Sequence, residues 1–227
     1  MITLPDTFTK RSLFVESNNV NISLKIDLNQ RLAEDRVAIE IGCGAKRRDA
    51  VTITIDRVDL DNVDIVADIE QGLGFLPDGC VDQLYCRSVL EHIENFEGLL
   101  REMLRVLKDD GKAYIFVPHF SNPYYYSDYT HKRFFGLYSF YYFVKPEKQL
   151  RRKVPIFYSD IRLDICSLKL VFKTPFWISR RLRKLFGLVV NCCPWMQEFY
   201  ELHLSSIIPC DGIDIVFQKT SDEGKQL

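Results

Sequence analysis

The chain has 227 residues, 47% hydrophobic and 27% charged, a composition that excludes disordered and fibrous classes. Its 30 basic and 31 acidic residues leave a net charge of -1 and a pI near 6.4, so no whole-protein field draws it onto nucleic acid. The N-terminal MITLPDTFTKRSLF carries charges where a signal peptide would be apolar, and the longest apolar runs are only a few residues. The expectation is therefore a soluble, cytoplasmic chain without a transmembrane span. Seven cysteines, at 43, 80, 86, 166, 192, 193 and 210, form no C-x-x-C pair and have no histidine at zinc-ligand spacing. Reduced thiols and no metal site are expected.

Residues 1–35 show weak periodicity and read as an N-terminal cap segment. From Arg36 onward, strand and helix signals alternate. Val37 to Ile41, Val51 to Asp56, Val63 to Asp68, Asp82 to Cys86 and Lys112 to Val117 are short β-branched or aromatic runs stopped by Gly, Asp or Pro. Between the last two, Phe96, Leu99, Leu100, Met103, Leu104 and Leu107 recur at helical spacing, and the Asp-Asp-Gly at 109–111 ends the helix. Strands separated by crossovers imply a doubly wound α/β domain: a mostly parallel, Rossmann-like sheet of seven strands with helices on both faces. This domain is expected to span 36–220.

After Pro118 the texture changes, with 11 aromatic residues among the 20 from Tyr124 to Phe143 and then the basic stretch KPEKQLRRK. A connection that long usually carries function, and residues 119–150 read as a substrate lid whose tyrosines either contact the acceptor or pack against one another. The chain then offers a strand or hairpin from Ile161 to Phe172, helices near 176–190 and 195–206, and a last strand from Ile213 to Phe217. Residues 221–227 read as a frayed tail. The helix near 176–190 sets Ile178, Leu182, Leu185, Phe186 and Val189 on one face and Arg180, Arg181 and Lys184 on another. It either packs on its own domain with solvated charges or makes a peripheral membrane contact on anionic lipid.

Glu40-Ile-Gly-Cys-Gly-Ala follows the first strand and is expected to open the first helix. Gly42 and Gly44 permit a tight turn and the close approach of a ligand. The dinucleotide fingerprint would need a third glycine at Arg47 and an acid about 20 residues beyond, whereas Asp56 follows sooner, so a nucleotide-dependent oxidoreductase is disfavoured. Asp56 and Asp68 instead end the second and third strands, at the edge where open α/β sheets bind ligands. There Asp56 can accept from both hydroxyls of a ribose, Asp68 from an adenine amino group, and Glu40 can meet an ammonium. Taken singly, each Asp also suits a turn.

EIGCGAKRR, ITIDRVD, VDIVADI and LPDGCVDQLYCRSVLEHIENFEGLLREMLRVLKDDGKAYIFVPH, in that order, resemble the class I S-adenosylmethionine-dependent methyltransferases, in the branch with a Leu-Glu-His motif after the fourth strand. The resemblance covers about 36–120. It implies S-adenosylmethionine as cofactor, with Glu40, Gly42, Cys43 and Gly44 lining the methionine portion, Asp56 at the ribose, Asp68 and Ile69 at the adenine, and the Cys86-Arg87-Ser88 turn as the cofactor floor. Lys46 stands where many members have a further glycine, a departure that concerns the loop. The continuation PHFSNPYYYSDYTHKRFF is similar to members from surface-polysaccharide biosynthesis that carry a D-x-T-H-x-R element, here Asp128, Thr130, His131 and Arg133.

Methylating a hydroxyl requires removal of its proton, for which a histidine oriented by an aspartate is suited. Asp128 and His131 are the first candidates and His119 the next, each histidine also being compatible with a structural role. The expected function is a methyltransferase acting on a small-molecule or glycan hydroxyl, with no nucleic acid partner. The alternative is an inactive cofactor-binding partner or regulatory subunit with the same fold.

Overall fold

The computed structural model of the chain describes residues 13–14, 22–174 and 176–220. Its strands, in chain order, are β1 (Leu13–Phe14), β2 (Ser23–Leu24), β3 (Ala38–Ile41), β4 (Ile53–Asp56), β5 (Ile65–Val66), β6 (Val81–Arg87), β7 (Leu107–Pro118), β8 (Leu163–Val171) and β9 (Gly212–Lys219). Across the sheet they lie in the order β1-β2-β5-β4-β3-β6-β7-β9-β8. Neighbours from β5 to β7 pair in parallel, while β9 runs antiparallel to both β7 and β8. The seven expected strands are those from β5 across to β8. Two short antiparallel strands from the N-terminal segment, β2 and then β1, extend the β5 edge. The rest of that segment, 1–12 and 15–21, and the expected tail at 221–227 lie outside the described residues.

Four α-helices accompany the sheet among the described residues: α1 (Leu28–Leu32), α2 (Phe96–Val106), α3 (Trp177–Val190) and α4 (Pro194–His203). The start of α2 follows from its sequence, because the Asn95 side chain accepts the Gly98 N–H at 3.0 Å and satisfies one orphan donor of the first turn. Its apolar stripe buries Phe96, Leu99, Leu100, Met103 and Leu104, each contributing about 1.5–3 kcal/mol over exposure. The chain then passes directly from Val106 into β7, and Asp-Asp-Gly forms an irregularity in that strand, where the register against β6 jumps between Val81–Leu107 and Gln83–Lys112.

One pleat face of the sheet is dry. Ile53, Ile55, Ile39, Ile41, Leu84, Cys86, Ala113, Ile115, Val117, Ile213, Ile215 and Phe217 share it through the strand registers, and all are buried. The aromatic stretch feeds this core: Phe135, Phe140 and Phe143 each set a ring edge-on to Phe96, with centroids 5.5–5.9 Å apart. The second half of the expected lid is therefore largely core, whereas Tyr124, Tyr126, Tyr129 and Phe134 stay exposed.

The opposite face, with Glu40, Tyr85, Tyr114, Phe116 and Val216, is only half-buried. No helix lies between β3 and β4 or between β4 and β5. The helix expected after Gly44 does not form, because side chains knit the connection into a loop. Asp49 accepts the N–H groups of Val51 and Thr52, and Arg47 donates to the carbonyls of Asp49 and Thr52 and to the carboxylate of Asp64. Such local side-chain bonds compete with a helix over a segment this short.

Candidate active site

The site lies at the carboxyl ends of the parallel strands, where the chain reverses out of β3, β4 and β6. Gly42 and Gly44 both have positive φ, +71° and +55°. The Gly44 N–H donates to Asp56 at 2.9 Å, which ties the glycine turn to the end of β4. Asp56 also accepts the Val58 N–H at 3.0 Å, and Asp68 accepts the Glu70 N–H at 3.1 Å. Both acids thus serve as turn formers, and both line a cavity with Gly42, Gly44, Ile69 and Ser88. Each carboxylate oxygen has lone-pair capacity beyond these bonds. A Cβ built on Gly44 meets nothing within 4 Å, so the backbone stands open there to a ligand.

Not every expected cofactor residue lines this cavity. Glu40 accepts the Arg48 N–H at 2.9 Å on the half-open sheet face, and Arg87 stacks over Phe116 at 4.0 Å on the same face. Cys43 is buried in the turn, where burial, then Asp56, pushes its thiol up. Asp56, Asp68, Gly42, Gly44, Ile69 and Ser88 are the expected residues brought together.

A second cavity, about 570 Å³, adjoins the first and is lined by Ser88, Glu91, His92, Tyr124, Tyr125, Asp128 and His131 together with Lys173 and Asp211. Ser88 and His92 line both cavities. Among the described residues Ser88 alone is a non-glycine with positive φ, +54°, and its N–H is held by the Phe116 carbonyl at 2.9 Å. A left-handed residue costs about 1–2 kcal/mol and persists where its surroundings over-determine it. The strain falls at the wall between the cavities.

Hydrogen bonds fix the protons of the second cavity. The Tyr125 carbonyl can only accept, so His131 carries its proton on Nδ1, 2.9 Å away, and keeps the Nε2 lone pair. That nitrogen lies 3.6 Å from Asp128 Oδ2. Thr130 gives its hydroxyl proton to Asp128 Oδ1 at 2.6 Å and therefore accepts from His92 Nδ1 at 2.9 Å, leaving the His92 Nε2 lone pair free as well. The Thr130 bonds hold the Asp128 carboxyl below the usual carboxylate range. The segment is a turn, closed by the Thr130 N–H on Asp128.

Glu91, which reading the sequence alone did not single out, completes the group. It is 1% exposed, and its Oε2 has no hydrogen-bond partner. Burial pushes its carboxyl up to about 7. Glu91, His92 and His131 each present one atom within 4.8 Å of the others, close enough to share a proton or a cation. The Glu91 carbonyl accepts the N–H groups of Lys132 and Arg133, while Arg133 donates to the Ile93 carbonyl at 2.9 Å and to that of Glu94. Arg133 thus clamps the Asp128–Arg133 segment onto the turn after β6.

His119 stands apart. It is fully buried, with Nε2 2.8 Å from Glu201 and Nδ1 2.8 Å from Ser121, and it lines neither cavity.

A glycine turn and two strand-end carboxylates thus stand together at the carboxyl edge of a sheet whose seven main strands run in the order β5-β4-β3-β6-β7-β9-β8. Residues 45–115 match the sequence profile of the family described as methyltransferase domain. No curated protein sequence matches the chain significantly. Solved structures similar to it include a SAM-dependent methyltransferase from Archaeoglobus fulgidus, at 15% identity and TM-score 0.47, covering 84% of this chain and 89% of that one. The YcgJ protein from Bacillus subtilis is similar at 16% identity and TM-score 0.45, covering 85% and 99%. Coclaurine N-methyltransferase, solved with N-methylheliamine and S-adenosylhomocysteine, is similar at 14% identity and TM-score 0.46, covering 84% and 68%.

Proposed function

We propose that the chain methylates a hydroxyl of a small-molecule or glycan acceptor, in surface-polysaccharide biosynthesis, with the acceptor seated in the second cavity. The observation that carries this reading is the meeting of the two cavities at Ser88 and His92, with the free nitrogen of His131 on the acceptor side. When bound, S-adenosylmethionine supplies an electrophilic methyl. Gly42 and Gly44 would leave room for its backbone approach, Asp56 would take the ribose hydroxyls and Asp68 the adenine amino group.

The protein's share of the reaction is then positioning and proton removal. An acceptor hydroxyl donates to His131 Nε2 and passes its proton there as the oxygen attacks. The ring that receives it stands 3.6 Å from the Asp128 carboxylate and within 4.8 Å of that of Glu91. The exposed ring of Tyr124, which lines the cavity, suits a sugar face. A cytoplasmic setting accords with the described cysteines, all of which are free thiols. The test is transfer of labelled methyl to a panel of saccharides and phenols: sugar hydroxyl products support the reading, and exclusive N-methylation overturns it.

A further inference from the structure

The hairpin of α3 and α4 is unused by the site. From Ile165 through Gln197 the chain has no Asp or Glu, yet carries Lys169, Lys173, Arg180, Arg181, Arg183 and Lys184. α3 packs inward through Phe186 and Val190: Phe186 meets Phe172 edge-on at 5.0 Å, and Val190 is buried. The outward side is apolar as well. Leu182, Leu185, Leu188 and Val189 are 56–68% exposed and fall at helical spacing on one arc, with Arg181 within it and Lys184 beside it. This corrects the single apolar face expected from the sequence, since Phe186 faces in and Val189 faces out. The Ile178 side chain lies outside the described residues.

Both tryptophans of the chain belong to this hairpin, Trp177 being 79% and Trp195 51% exposed, and Leu202 of α4 is 75% exposed. Single exposed apolar residues are ordinary, but the α3 arc, rimmed by Arg180, Arg181 and Lys184 alone, marks an interaction surface. Three features select its partner. The absence of acids from α3 makes its outward arc complementary to an anionic plane and would set like charges opposite one another in a symmetric pair of these helices, while Glu198 and Glu201 of α4 are engaged by Tyr138 and His119. Tryptophan is the side chain enriched at the boundary between headgroups and acyl chains. A basic helix with leucines on its outward arc has the form that lies in that boundary, and no described helix is long and apolar enough to cross a membrane.

We infer that the α3–α4 hairpin docks on the surface of an anionic lipid bilayer, with Trp177, Leu182, Leu185 and Leu188 entering the headgroup boundary and Arg180, Arg181 and Lys184 meeting lipid phosphate. The inference stands independently of the acceptor reading. α3 begins just beyond Lys173 and Thr174, which line the second cavity, so a docked hairpin adjoins the cavity wall.

The whole chain is sedimented with vesicles of phosphatidylcholine alone and of phosphatidylcholine with about one-third phosphatidylglycerol, at low and high salt. Binding is expected to the anionic vesicles, weakened by salt, with a blue shift and brominated-lipid quenching of the intrinsic fluorescence, which comes from these two tryptophans. Leu185→Glu and Arg181→Glu, both at exposed positions, should each weaken binding by about tenfold or more, and Lys112→Glu on β7, away from the hairpin, should not. No sedimentation with anionic vesicles at low salt overturns the inference. So does binding that Leu185→Glu leaves intact, or a dimer in analytical ultracentrifugation that Leu185→Glu dissolves.

Discussion

A carboxylate oxygen of Glu91 and a ring nitrogen of His131 lie within 4.8 Å of one another at the wall of the second cavity, one from the turn after β6 and the other from the loop after β7. The carboxylate is buried and its Oε2 is unpartnered, and the imidazole keeps a lone pair on Nε2. Burial raises the Glu91 carboxyl, so a weakened acid stands beside the ring nitrogens. That arrangement suits general base chemistry near neutral pH.

Glu91→Gln is expected to separate stability from activity. With its carboxyl at about 7 in the folded chain against an ordinary 4.5, Glu91 contributes stability that is fully present below about pH 4.5 and is lost as pH rises to about 7. The loss is on the order of 3 kcal/mol, an upper bound. Glutamine does not ionise, so the variant should be more stable than wild type at pH 8 by up to that amount and equal to it near pH 4, as read by urea unfolding. Its turnover should fall. A variant less stable than wild type at pH 8 would mean that the carboxylate has a partner.

The two motif glycines should fail differently. A Cβ on Gly42 would sit 2.2 Å from Val89 Cγ2 at a φ of +71°, so Gly42→Val should displace the turn and abolish S-adenosylhomocysteine binding. A Cβ on Gly44 meets no protein atom, so Gly44→Ala should cost only about 1–2 kcal/mol in folding for its φ of +55°. Its methyl would enter the cavity and weaken the ligand. Calorimetry and thermal unfolding on both variants check the split, and full affinity in Gly44→Ala would move the ligand off the turn.

Asp56→Ala should weaken S-adenosylhomocysteine by about 1–3 kcal/mol, the scale of lost charge-assisted hydrogen bonds. Because Asp56 also holds the Gly44 and Val58 N–H groups, the alanine variant loses loop order too. Asp56→Asn keeps one carbonyl acceptor and should fall between the two. Equal affinities for alanine and wild type would leave Asp56 as a turn former only.

Most of the fold was legible because its signals are local. The strands that stop at Gly, Asp or Pro, the helix from Phe96 and the last three elements lie close to their expected limits, while β7 starts at Leu107 and takes in the Asp-Asp-Gly that was expected to end the helix. The missing helix after Gly44 was not legible, since it depends on the reach of Arg47 to Asp64 across 17 residues. Glu91 was hidden for a related reason. Leu-Glu-His marks a motif, but only the clamp by Arg133 and the folding of the 128–133 loop over it bury the acid. An acid flanked by Val89, Leu90 and Ile93 was the one available signal.

His119 should prove structural. Its ring is fully buried between Ser121 and Glu201, and Glu201 also accepts the Leu137 N–H at 2.8 Å. His119→Ala removes one partner of a buried pair, which costs about 3–5 kcal/mol. The expected result is a large drop in thermal stability, with the turnover of the remaining folded protein nearly that of wild type. Lost turnover at full stability would return His119 to the list of bases.

His131→Ala tests the transfer step itself. His131 lines the second cavity and not the first, so S-adenosylhomocysteine affinity should stay within about twofold while kcat falls by about 10²-fold or more. Asp128 acts on the same step from two sides, facing His131 Nε2 at 3.6 Å and anchoring the Thr130–His92 relay. Asp128→Asn keeps an oxygen for Thr130 but removes the charge that favours the imidazolium. It should therefore lower kcat less than His131→Ala. Full turnover in Asp128→Asn would confine Asp128 to holding the loop, and a His131→Ala variant that turns over like wild type would pass the proton to Glu91.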